Sequence, residues 1–176
     1  MNFCEETIKS KILYDGLVVK LMVDEVKLIN EKTSCREVID HQGGVAVAAL
    51  TDDNELLLIR QFRYPFREAV LELPAGKLEK EQSPLENGIR ELFEETGAVG
   101  YDYQSLGTIY PSPGYCNEIV HLYFCRVKSI SAPNPDEDEF LTMVKIKLQD
   151  AVNMVLENKI PDAKTQIGIL KTAFIT

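Results

Sequence analysis

PAGKLEKEQSPLENGIRELFEETGA, residues 74–98, is the stretch whose reading decides the fold. Ser83 is a good N-cap, and Glu86 three residues on completes a capping box. Pro84 falls at the first helical position, where its missing N–H costs nothing. Gly97 ends the helix as a left-handed residue just past the C-cap. Between these ends Leu85, Ile89, Leu92 and Thr96 recur at spacings of four and three, which predicts one buried face. Glu91, Glu94 and Glu95 converge on another face. Like charges at that spacing cost roughly 0.2–0.5 kcal/mol per pair. Their place near the negative end of the helix dipole costs roughly 0.3–1 kcal/mol each. Arg90 offsets part of this through Glu86 or Glu94. A divalent cation offsets more: carboxylates suit hard ions such as magnesium, which keeps its waters and accepts phosphate oxygens. On charge pattern alone a solvated helix face is the commoner explanation, so the flanks carry weight.

Working outward, Val70 to Leu73 reads as a strand running into the loop before the helix, giving the order strand, loop, helix. Further upstream Gly43-Gly44 punctuates the chain. Val45 to Leu50 is an apolar run that predicts a buried strand. Thr51 to Asn54 is turn chemistry, and Leu56 to Ile59 is the return strand of a hairpin. At the N-terminus, Leu17 to Lys27 reads as two strands broken at Asp24-Glu25. Asn30 to Lys32 makes a second turn and Thr33 to Ile39 a third strand. Such a small antiparallel sheet is marginal alone and needs something to pack on. Downstream, Tyr103 to Tyr110 and Ile119 to Val127 are strands about a rigid Pro111-Ser112-Pro113-Gly114 turn. Ser131 to Glu139 reads as an exposed acidic loop, and Leu141 to Lys147 as a half-buried strand. Leu148, Ala151, Val152 and Val155 form one helical stripe; Ala163, Ile167, Leu170 and Phe174 form another. The expected class is α+β, with a mixed sheet between helices. A division near residue 42 separates an N-terminal β subdomain, 1–41, from the main domain, 42–176.

The 176 residues suit one domain with a real core, and 45% hydrophobic with 27% charged residues is ordinary for a globule. A formal net charge of −9 argues against a nucleic-acid surface and means that an anionic ligand needs local arginines or metal. Cys4, Cys35, Cys116 and Cys125 form no CxxC pair, so neither zinc nor a redox motif is indicated. His41 and His121 are isolated. No stretch is apolar enough for a membrane span. MNFCEETIKSK lacks the order of a signal peptide, so the cytoplasm is the expected location.

Gly76, Arg90-Glu91-Leu92, Glu94-Glu95 and Gly97 together resemble the Nudix box. Gln82 departs from it, standing where that pattern has its first fixed glutamate. Lys80-Glu81 replaces a common Pro-Gly, and Gly88 lies inside the helix, where it costs about 1 kcal/mol relative to alanine. The likeness runs on through Arg36-Glu37, Gly44 to Leu50, Arg60 to Arg63, Leu71 to Gly76, Ser112 to Gly114 and Asp136 to Phe140. These resemble the ADP-ribose pyrophosphatase branch of the Nudix hydrolases. The resemblance implies an α/β/α sandwich and hydrolysis of ADP-ribose to AMP and ribose 5-phosphate. It further implies magnesium or manganese, two or three ions per site, and a homodimer with an exchanged or shared N-terminal sheet. Alternatives within its reach are another nucleoside diphosphate sugar, a dinucleotide, or a weakly active ADP-ribose sensor.

By that resemblance Glu91 and Glu95 are the chief metal ligands, with Glu94 close by and the Ala75 carbonyl joining them. Arg90 orients the glutamates. Glu137 or Glu139 on the acidic loop is the base; the bland alternative is a solvated linker. Arg63 contacts the diphosphate, since guanidinium forks onto phosphate oxygens; its alternative is a strand-end surface arginine. Arg36 and Glu37 serve the adenosine half from the neighbouring subunit, or else form a cross-strand ion pair. Ser112, Gly114, Tyr115 and Glu118 line the terminal-ribose end, although Tyr115 equally suits packing. Gln82 keeps the hydrogen bonds of a glutamate without its charge, with Glu79 or Glu81 as compensation.

Overall fold

The computed structural model describes residues 3–135 and 139–176. The chain divides into two compact units, Met1–Gly43 with Tyr110–Ile119, and Gly44–Ile109 with Val120–Thr176.

The first unit carries three antiparallel strands in the order β1 (Glu6–Asp15), β2 (Lys20–Lys27), β3 (Thr33–Asp40). One sequence expectation changes here. Asp24 and Glu25 lie in the middle of β2, paired with Arg36 and Cys35 of β3, and make no turn. The turn lies earlier, where the Gly16 N–H donates to the Val19 carbonyl. Asp15-Gly16 is the hairpin signal that marks it. The predicted Asn30–Lys32 turn is present, with Glu31 left-handed at φ 66°. The segment between Tyr110 and Ile119 joins this unit through backbone bonds of Ile39 with Tyr115 and Asn117.

The second unit is a mixed sheet with helices on both faces. Its strands are β4 (Gly44–Leu50), β5 (Glu55–Arg63), β6 (Glu68–Glu72), β7 (Ala75–Lys77), β8 (Ala98–Ile109), β9 (Val120–Ile130) and β10 (Leu141–Lys147). The main order is β10-β5-β4-β9-β8, with β6 on β5 and β7 on β4. β4 runs parallel to β9 along its whole length, and every one of its residues is buried. It meets β5 only at Leu50 and Leu56, so the predicted hairpin splays immediately after its turn. The start of β4 pairs instead with β7.

The strand period of two separates the faces. Ala46, Ala48 and Leu50 pack in one cluster with Ala151, Val155, Ile160 and Ile169, which belong to or flank α2 (Leu148–Leu156) and α3 (Ala163–Ile175). Val47 and Ala49 pack in the other with Leu92 of α1 (Pro84–Thr96). This is the α/β/α arrangement the sequence pointed to. Phe174, expected on the buried stripe of α3, is 90% exposed. Among the described residues, no helix is long and apolar enough to cross a membrane.

Candidate active site

The ends of α1 form as the sequence predicts. Ser83 Oγ accepts from the Glu86 N–H, the Glu86 carboxylate accepts in return from the Ser83 N–H, and Gly97 is left-handed at φ 69°. The face it buries keeps Leu92 and Thr96 of the expected stripe but is otherwise shifted. Ile89 is 41% exposed, whereas Gly88, Glu91 and Glu95 are buried beside Leu92. Gly88 explains the roll of the helix: a Cβ there would lie 3.0 Å from Val45 and 3.1 Å from Val47. Without one, α1 comes down close on β4. The residue paired with Val45 on the other edge is Gly76 of β7. The carboxylates of α1 therefore close over the loop 74–76. Glu95, only 1% exposed, accepts a 2.9 Å hydrogen bond from the Ala75 N–H.

Arg90 organises the rest of the acidic set. Its Nη1 donates to Glu94 at 2.5 Å and its Nη2 to Glu91 at 2.7 Å. Nη2 also lies 3.1 Å from Glu79. Glu86, occupied by the capping box, takes no part. Gln82 donates to Glu79 at 3.1 Å, so the glutamine supports the arginine through a neighbouring carboxylate. Arg90 Nε is buried without a partner among the described residues.

Crowding has an electrostatic signature. Burial pushes the Glu95 carboxyl up to about 8; the Ala75 N–H opposes the shift, and the Glu91 and Glu139 charges add to it. Glu91 is also raised, first by burial, with Arg90 opposing and Glu94 and Glu139 reinforcing. Carboxylates that burial and mutual repulsion penalise are matched to a hard divalent cation. Among the described residues no ready set of three ligands is gathered. Glu91 and Glu94 face Arg90, and Glu95 faces the backbone of Ala75. The donor chemistry fits such an ion once these contacts are exchanged. Glu139 is half-buried and close enough to act on both helix glutamates. Glu137 lies outside the described residues.

Arg63 is not a free strand-end arginine. Its Nε and Nη2 fork onto Glu72 at 2.6 and 2.8 Å, and its charge is felt at Glu95. Glu72 is 2% exposed and also accepts from Lys164. These groups line a cleft of about 350 Å³ with Phe66, Pro65 and Pro161. Neither Glu72 nor Lys164 was expected from the sequence. The lone carboxylate inside the apolar run Val70–Leu73 was the available signal for Glu72; a partner 92 residues away leaves no local trace.

The remaining predicted residues belong to the other unit. Arg36 forks onto Glu5 at 2.9 and 2.6 Å, rather than pairing across adjacent strands, and Glu37 is exposed on β3. Tyr115 is 59% exposed, with its hydroxyl 3.4 Å from Ser112 Oγ. Gly114 has open space where a side chain would be. Glu118 lies 3.5 Å from His41 Nδ1.

Strand, glycine loop and acidic helix, closed over one another in this way, define a class. Residues 40–166 match the NUDIX domain, and the chain belongs to the Nudix family, whose members generally work with divalent metal ions such as Mg2+. It is 41% identical over 169 residues to the methanol dehydrogenase activator of Bacillus methanolicus, covering 95% of this chain and 91% of that one. It is 39% identical over 167 residues to the ADP-ribose pyrophosphatase of Bacillus subtilis, covering 94% and 90%. A GDP-mannose pyrophosphatase of Yersinia enterocolitica is 34% identical over 140 residues, covering 74% and 73%.

Proposed function

We propose that the chain hydrolyses the diphosphate of ADP-ribose to AMP and ribose 5-phosphate, with magnesium or manganese bound at Glu91, Glu95, Glu94 and the Ala75 carbonyl. The observation that carries this is the pair of buried, charge-strained glutamates of α1, Glu91 and Glu95, with Arg63 close enough to act on Glu95. Likeness to a protein named ADP-ribose pyrophosphatase, along nine-tenths of both chains, supports the substrate.

Bound metal ions, two or three per site, supply neutralisation of the diphosphate oxygens and a more acidic water. The chain supplies position. Arg63 holds a phosphate oxygen through its guanidinium. Glu139 or Glu137 accepts the proton of the attacking water. Arg90 keeps Glu91 and Glu94 oriented. The water oxygen bonds to phosphorus, the bridging P–O bond breaks, and the leaving phosphate takes its electron pair. On the resemblance, Arg36 and Glu37 are assigned to the adenosine half, from the second copy of a homodimer joined through the N-terminal sheet, residues 1–41. Ser112, Gly114, Tyr115 and Glu118 are assigned to the terminal ribose. The working compartment in this reading is the cytoplasm.

The test is incubation with ADP-ribose and magnesium. AMP and ribose 5-phosphate in equal amounts from the wild type, and none from Glu95→Gln, is the expected result. No AMP above the Glu95→Gln background removes the assignment. The likeness to a GDP-mannose pyrophosphatase favours a second reading, in which another nucleoside diphosphate sugar or a dinucleotide is preferred. Ranking a substrate panel by kcat/KM separates the two. Tight binding without turnover would instead point to an ADP-ribose sensor. A methanol dehydrogenase assay with and without the chain covers the relative named as an activator.

A further inference from the structure

Lys164 stands where the helix alone disfavours it. It is the second residue of α3, at the positive end of the dipole, and its side chain is only 17% exposed. Two carboxylates hold it there: Glu72, and Asp162 at 3.0 Å. Glu72 is the last residue of β6 and is itself buried. Its Oε1 takes Arg63 Nε, and its Oε2 takes both Arg63 Nη2 and Lys164 Nζ. The same turn of α3 grips the next residue, since the Leu73 N–H donates to Thr165 Oγ1 at 2.8 Å. Asp162 fixes Thr165 in turn, accepting from its N–H at 2.9 Å and its hydroxyl at 2.5 Å.

We propose that Lys164 is a positioning residue for Arg63, acting through Glu72; this rests on the reading of the site as an ADP-ribose hydrolase. A carboxylate gripped by one guanidinium swings with it as a pair. The same carboxylate tied also to α3 cannot turn, so the plane of the guanidinium is fixed, with Nη1 left outside the fork for a phosphate oxygen. Lys164 also keeps Glu72 compensated when Arg63 shares its charge with the diphosphate, a state that would otherwise strand a buried anion.

The experiment uses the full chain with ADP-ribose and magnesium. Lys164→Met is expected to raise KM about tenfold with kcat within about twofold, the pattern of lost binding with unchanged chemistry. The Kd of a non-hydrolysable ADP-ribose analogue rises in parallel. Lys164→Arg restores KM to within about threefold, because a second fork can replace the ammonium. Lys164→Gln, which keeps a donor without the charge, replaces the methionine variant if thermal melting shows that it does not fold. Wild-type turnover with unchanged KM and Kd in a folded Lys164→Met or Lys164→Gln overturns the inference alone. Absence of turnover in the wild type overturns the functional reading and the inference together.

Discussion

Gly76 lies against Glu91 so closely that a Cβ on the glycine would be 1.9 Å from the carboxylate Oε1. The strand-loop-helix unit is therefore sized around that carboxylate, with Gly88 letting the helix down on one side and Gly76 admitting the side chain on the other.

Gly76→Ala tests this closeness. The added methyl must displace the Glu91 carboxylate, which is the end of a side chain and moves without unfolding the sheet. Activity is expected to fall on the order of a hundredfold, as for an ångström of misplacement. The thermal midpoint is expected to shift by only a few degrees. Both are read by steady-state kinetics and calorimetry on one preparation.

Much of this was legible in the sequence, and the boundary is physical. The ends of α1 depend on Ser83, Glu86, Pro84 and Gly97 acting within four residues, and they formed as expected. Its buried face depends on packing against β4 and β7, which the helix's own periodicity does not encode, so Ile89 and Glu91 changed places relative to solvent. Strand β1, wholly exposed, carries no burial pattern to betray it. The convergence of Glu91, Glu94 and Glu95 and the Arg90–Glu94 pair were readable; the Glu79 contact of Arg90 and the Ala75 N–H on Glu95 were not. The Arg63–Glu72–Lys164 clamp joins three elements and exists only in the folded chain.

Glu72 gives a pH signature. Burial alone would raise its carboxyl, but the Arg63 hydrogen bonds and Lys164 hold it below the ordinary 4.5. An acid depressed by folding adds stability above 4.5 that is lost as pH falls through the folded value. Glu72→Gln is expected to cost about 3 kcal/mol at neutral pH, the low end for breaking a buried pair. That gap should shrink below about pH 4.5 in denaturant titrations, the ordinary value at which an unfolded glutamate begins to take up its proton.

Glu95 has the opposite sign. Its carboxyl is raised to about 8, so the folded state holds a proton that the unfolded state has released, and stability declines as pH rises from 4.5 towards 8. Glu95→Gln still accepts the Ala75 N–H and escapes this decline. Without divalent cations the variant is expected to melt above the wild type at about pH 8. Magnesium should raise the wild type and leave the variant unmoved.

The most direct measurement is manganese binding, followed by the loss of the free-ion electron paramagnetic resonance signal. The wild type is expected to take up Mn2+ in competition with Mg2+, and Glu91→Gln/Glu95→Gln, folded by circular dichroism, to take up none. Equal binding by both proteins would contradict the placing of the reaction centre at the buried glutamates of α1.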